Sequence, residues 1–67
     1  MRITLNGDVE DIQPQTVSVR DILRSKGWSF PLITVSVNGV TVSRGDWDEF
    51  FVREGDRVDA IHLMSGG

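Results

Sequence analysis

The sequence predicts a single α+β domain, in which a mixed sheet of about five strands carries one main helix on one face. Three observations predict it. Apolar residues alternate with polar ones at period two near the start, in the middle and near the end. Asn-Gly occurs twice, each time between two such stretches, and this dipeptide favours the tight turn of a β-hairpin. Only one segment has apolar residues at helical spacing. A single helix cannot cover both faces of a sheet, so a doubly wound arrangement is excluded. The chain has 67 residues. A chain of that size buries only about 60% of the surface its unfolded form exposes, which leaves a small core and little room for an internal active site.

The elements follow in order. Met1, Ile3 and Leu5 alternate with Arg2, Thr4 and Asn6, a half-buried strand. Asn6-Gly7 turns the chain, and Val9 to Ile12 return as a second strand weakened by Glu10 and Asp11. Pro14 ends that strand. Ser18 is an N-cap with Asp21 three residues on, and Val17 and Ile22 flank it as a hydrophobic staple. Val19, Ile22 and Leu23 share one face, with Arg20, Asp21 and Arg24 turned to water. Lys26 suits the helix C-terminus and Gly27 the left-handed position after it, so the helix is expected over Val19 to Lys26.

Trp28, Phe30, Pro31 and Leu32 form an apolar connection expected to fold over one end of the core. Ile33, Val35 and Val37 then mark a clear strand, Asn38-Gly39 repeats the hairpin turn, and Val40 to Val42 return. Asp46 to Phe50 is expected to form one short helical turn, with Trp47, Phe50 and Phe51 packing inward. Glu54-Gly55-Asp56 is a tight turn, and Arg57 to Met64 form the last and longest strand. With a right-handed crossover, the first and last strands lie parallel and adjacent at the sheet centre. That arrangement is the β-grasp fold. Residues 1–64 are expected to form it, and 65–67 a flexible Ser-Gly-Gly tail that projects from the central strand.

Composition narrows the function. Seven basic and ten acidic residues give a net charge of −3, which argues against nucleic acid and anionic membrane as partners. There is no cysteine and one histidine, His62, which excludes a disulfide scaffold and a Cys/His zinc cluster. No basic-then-apolar leader opens the sequence and no apolar run approaches bilayer-spanning length, so a cytoplasmic protein is expected. No serine lies in a nucleophile-elbow motif, no Gly-rich phosphate loop occurs, and His62 lacks an acid at matching strand parity. The acidic residues Asp46, Asp48, Glu49, Glu54 and Asp56 read first as a solvated face, and second as a docking surface for a basic groove.

Two features stand out. On the last strand Asp59 should face water, which places Ile61 and Leu63 beside it, exposed close to the tail and suited to a partner surface that Met64 extends. The tail, Ser65, Gly66 and Gly67, offers an α-carboxylate on a thin stalk, and two glycines allow another surface to approach the backbone closely. The residues by themselves also permit a frayed terminus there.

The chain resembles the ThiS/MoaD family of ubiquitin-like sulfur carrier proteins, and most closely its ThiS branch. The resemblance covers essentially the whole sequence. It is carried by Thr16-Val17 leading into Ile22-Leu23, by Val37-Asn38-Gly39, Val42-Ser43-Arg44 with Trp47, Glu54-Gly55-Asp56-Arg57-Val58, and Gly66-Gly67. Ser43 departs from the Pro that many ThiS proteins carry there.

The resemblance implies that no residue is catalytic and that Gly67 is the modified group. An E1-like, ThiF-like enzyme would use MgATP to make a Gly67 acyl-adenylate. Sulfur from a cysteine desulfurase would convert it to a thiocarboxylate, and a ThiG-like thiazole synthase would take that sulfur for thiamine. The chain itself would bind no cofactor or metal and would be a monomer when free. The same residues leave open carrier chemistry for molybdopterin, cysteine or tRNA thiolation, a ubiquitin-like protein modifier, and a non-catalytic β-grasp interaction module.

Overall fold

Five strands form one sheet in the order β2-β1-β7-β4-β5 in the computed structural model, which describes residues 1–13, 16–28 and 32–62. The strands are β1 (Arg2–Leu5), β2 (Asp8–Asp11), β4 (Ile33–Val37), β5 (Val40–Val42) and β7 (Arg57–His62). The helix α1 (Val19–Lys26) lies against one face. Strands β1 and β7 run parallel, with Thr4 opposite Arg57 and Leu5 opposite Val58. The other pairs of the sheet are antiparallel. First and last strands therefore meet at the sheet centre, as the sequence predicts for a β-grasp domain.

The two hairpins form for the anticipated reason. Asn6 and Asn38 have φ of 51° and 52°, and the glycines after them 87° and 83°. Positive φ at both central positions matches the right-handed twist of the flanking strands. Each Asn also bonds across to β7. Ala60 N–H donates to Asn6 Oδ1 at 2.7 Å, and Arg57 N–H donates to Asn38 Oδ1 at 2.9 Å. Asn38 Nδ2 donates to Asp56 Oδ1 at 3.0 Å. The same residues that turn the chain thus clamp both edges of the central strand.

Helix α1 has the predicted limits and caps. Ser18 Oγ accepts from Asp21 N–H at 3.1 Å. Gly27, at φ 73°, sends its N–H to Arg24 O, and Trp28 N–H reaches Leu23 O at 2.8 Å, the paired bonds of a Schellman ending. Ser18→Ala is expected to cost about 1 kcal/mol, because it removes the acceptor for the third helical N–H. A lowered thermal midpoint with an unchanged far-UV spectrum would check it.

The core lies between α1 and the inward rows of the sheet. Ile3 and Leu5, Val35 and Val37, and Val58 and Ala60 meet Val19, Ile22 and Leu23 there. Trp47 and Val52 close it from the long connection after β5.

That connection differs from the sequence expectation. A 3₁₀ segment at Arg44–Asp46 comes first, and the expected turn over Asp46 to Phe50 follows it directly, with Glu49 and Phe50 N–H both donating to Asp46 O at 3.0 and 2.9 Å. Trp47 is buried and Phe50 packs partly against the core, but Phe51 is exposed. The reason is a two-stranded ladder the sequence does not announce: β6 (Phe51–Val52) pairs with β3 (Val17–Ser18). Strand alternation sends Val52 inward opposite Val17, and Phe51 consequently outward. Two smaller corrections apply. Strand β2 covers Asp8–Asp11 instead of Val9 to Ile12, although Ile12 N–H still donates to Met1 O at 2.7 Å. Of the apolar connection, Trp28 packs against the core and Leu32 is exposed, while Phe30 and Pro31 lie outside the described residues.

Candidate functional site

The face of the sheet opposite α1 has no element over it among the described residues. Strand alternation places Arg2 and Thr4 of β1, Val9 and Asp11 of β2, Asp59 and Ile61 of β7, and Thr34 and Ser36 of β4 on it. Ile61 is 58% exposed and stands opposite Thr34, with Asp59 opposite Ser36 one pair back along the strand. An isoleucine flanked by short hydroxyl side chains stands above its neighbours, so its apolar surface is available to a partner. Arg57 Nε pairs with Asp59 Oδ2 at 3.3 Å, and Arg2 Nε with Asp11 Oδ1 at 3.5 Å. Both pairs are solvated and add little to stability; the Arg57–Asp59 pair stands beside Ile61 on β7, and the Arg2–Asp11 pair lies at the other end of the sheet.

Among the described residues β7 runs to His62, which is exposed and opposite Ile33. Leu63, Met64, Ser65, Gly66 and Gly67 lie outside the described residues. Of the expected partner residues, the structure therefore places Ile61 where the parity argument put it. Among the described residues no three His, Cys, Asp or Glu side chains could hold a metal ion together. No helix is long and apolar enough to cross a membrane among those residues.

The acidic residues do not form one surface. Asp46 accepts from the Ser43 hydroxyl at 3.0 Å, and Asp48 holds Arg20 at 3.1 Å. Glu54 accepts from Arg2 N–H at 3.0 Å, and Asp56 from Arg53 N–H at 2.9 Å. Glu54 and Asp56 thus satisfy backbone donors at a strand end and a turn, whereas Asp46 and Asp48 pair with side chains.

A second feature is one the sequence reading missed. Arg20, Arg24 and Arg44 converge with Trp28, Trp47 and Leu23 on a groove beside α1. The Arg44 guanidinium carbon lies 4.6 Å from the centroid of the Trp47 ring, and that of Arg20 5.2 Å. Trp47 is itself fixed by its Nε1–H, which donates to Val42 O at 3.0 Å. Arg20 was expected to face water. It is half-buried because its backbone N–H reaches Trp47 O at 3.1 Å and its side chain follows onto the ring. The available signal was weak: Arg20 and Arg24 are one helical turn apart, and Arg44 precedes Trp47 by three.

A model of the ThiS family matches residues 2–67. The chain belongs to the ThiS family. A crystal structure of a thiamine biosynthesis protein (ThiS) from Geobacter metallireducens superposes with a TM-score of 0.88 at 28% identity, covering 100% of both chains. An NMR solution structure of a thiamine biosynthesis protein from the same organism gives a TM-score of 0.81 at 28% identity, covering 100% of this chain and 88% of that one. A thiazole synthase of Magnetococcus marinus is 28% identical over 67 residues, which are 100% of this chain and 20% of that protein. This ThiS-family chain thus spans about a fifth of that relative's length.

Proposed function

We propose that the protein is a sulfur carrier of thiamine biosynthesis, acting as a cosubstrate whose reactive group is the α-carboxylate of Gly67. The carrying observation is the family match over residues 2–67 together with a central strand that leads directly into Leu63 to Gly67. A carboxylate is ionised at neutral pH and does not accept a sulfur nucleophile. It must first be activated. A ThiF-like enzyme would supply MgATP: a Gly67 oxygen attacks the α-phosphorus, pyrophosphate leaves, and an acyl-adenylate forms.

A persulfide originating from a cysteine desulfurase then attacks the acyl carbon, and AMP leaves. A thiol cleaves the resulting acyl disulfide, which releases the Gly67 thiocarboxylate and is itself oxidised to a disulfide. A ThiG-like thiazole synthase would take that sulfur. The likeness to a thiazole synthase in which a segment like this chain makes up 20% of the length supports that partner, because fusion keeps two cooperating units at high effective concentration. The chain supplies no acid, base or metal to these steps. It presents the tail and, through Ile61 with Leu63 and Met64, a surface for the enzymes to hold.

The test is intact-mass analysis after incubation with a ThiF-like enzyme, MgATP and a persulfide donor. Exchange of one oxygen for sulfur on the C-terminal peptide supports the reading, and its absence with an active enzyme overturns it. An amide link from Gly67 to a target lysine would show a protein modifier instead.

Ile61→Lys separates the docking surface from the chemistry. Ile61 is exposed, and the new ammonium stands beside Asp59 on the same face, so the fold should lose less than about 1 kcal/mol. Loss of an apolar anchor at an interface costs about 1–2 kcal/mol. The expected result is a roughly tenfold lower kcat/KM for adenylation with an unchanged melting temperature.

A further inference from the structure

We propose that the arginine-lined groove beside α1 is a docking site for a carboxylate-bearing segment of a protein partner. Three of the chain's seven basic residues line this one recess, on a molecule of net charge −3. Both of its tryptophans line it too. Arginine and tryptophan are the residue types over-represented where protein interfaces concentrate their binding energy. The guanidinium groups are also held in advance. Arg44 lies over the Trp47 ring, and Arg20 is fixed by that ring and by Asp48. A planar fork already in place loses little freedom when it pairs with a carboxylate. Arg24 has no carboxylate within ion-pair distance among the described residues.

Two other anions fit less well. A free phosphate is best held by backbone N–H groups at a helix N-terminus. Here those groups are consumed: Val19 N–H donates to Phe50 O, Arg20 N–H to Trp47 O, and Asp21 N–H to Ser18 Oγ. A nucleic acid would meet exposed Asp46, Asp48 and Glu49 on the adjoining connection, which repel a continuous polyanion. A short acidic peptide can put two or three carboxylates into the groove and keep its backbone clear of those residues.

The groove lies on the helix side of the sheet, while Ile61 points from the opposite side. A partner held by the arginines therefore leaves the open face clear. The assignment needs no chemistry at Gly67, so its failure is distinguishable from failure of the carrier reading.

The experiment is titration of the full chain with hexaglutamate, followed by intrinsic fluorescence and by the Trp28 indole and Arg Nε–Hε NMR signals. Because both tryptophans line the groove, emission reports on it without a label. Saturable changes at Trp28, Arg24 and Arg44 that weaken as salt is raised are expected. Arg24→Glu should weaken binding about tenfold, and Arg24→Lys should restore most of it. Arg24 is exposed in the last turn of α1, so Arg24→Lys should melt as the parent does. Arg24→Glu, which opposes the helix dipole, should lower the midpoint by only a few degrees and leave the chain folded at the titration temperature. The proposal is overturned if hexaglutamate gives no saturable change or if Arg24→Glu binds as well as the parent. It is equally overturned if inorganic phosphate at the same charge concentration reproduces the shifts, or if an oligothymidylate binds more tightly than hexaglutamate.

Discussion

Trp47→Ala is expected to cost the fold about 3–5 kcal/mol, the largest loss from a single side-chain truncation in this domain. Trp47 is 2% exposed and comes from a connection that has little regular structure of its own. Its indole fills the end of the core, its N–H satisfies Val42 O, and its ring is the platform for Arg20 and Arg44. Truncation leaves a cavity, removes the indole bond to Val42 O and leaves two guanidinium groups without their ring. A domain of this size sits near the lower end of the usual 5–15 kcal/mol of stability, so most of it would be lost. Urea unfolding followed by far-UV circular dichroism reads the effect without relying on the removed fluorophore.

Trp47→Phe divides the loss into parts. It keeps a ring in the core and removes the indole N–H bond to Val42 O, a carbonyl of a residue that also pairs with Val35 in the β4–β5 ladder. It should cost about 0.5–1.5 kcal/mol for the lost bond. If Trp47→Ala cost no more than Trp47→Phe, the packing role given to the ring would be wrong.

Trp47 also marks the boundary of what the sequence makes legible. The helix was readable to its ends because its signals are local: Ser18 and Asp21 at one end, Gly27 at the other, and three apolar residues on one stripe. The hairpins were readable because Asn-Gly carries its own backbone preference. The outward position of Ile61 followed from parity with Asp59 on one strand. The stretch from Ser43 to Val52 has no such local code. Its conformation is settled by distant partners: the N–H groups of α1 that reach Phe50 O and Trp47 O, and the two-residue ladder that β3 offers β6. Phe51 was misplaced for that reason, since hydrophobicity alone says nothing about which way a short strand faces. The arginine groove was illegible for the same reason. Arg20 and Arg44 are 24 positions apart in the sequence, and only the fold brings both over one ring.

Deletion of Gly67 is expected to abolish thiocarboxylate formation, by more than about 10³-fold, while leaving stability unchanged. The deletion does not remove the carboxylate; it moves it back onto Gly66. One residue of extended chain is about 3.5 Å, so the nucleophilic oxygen falls that far short of the phosphorus it must attack. A misplacement of about 1 Å can already cost 10²-fold, and no side chain of this protein can make up the distance. The hydrogen bonds and core contacts of residues 1–13, 16–28 and 32–62 are untouched, so the urea midpoint should match that of the parent. Extension by one glycine tests the same geometry from the other side, because it pushes the carboxylate past the reacting position and should be about as damaging. The pair is informative because the opposite pattern has a clear meaning. If the shortened and lengthened chains were both processed at the parental rate, the terminus would not be the reacting group, and the β-grasp domain would have to act through its surfaces alone. Trp47→Ala should give the complementary result, with the tail intact and nothing folded to present it.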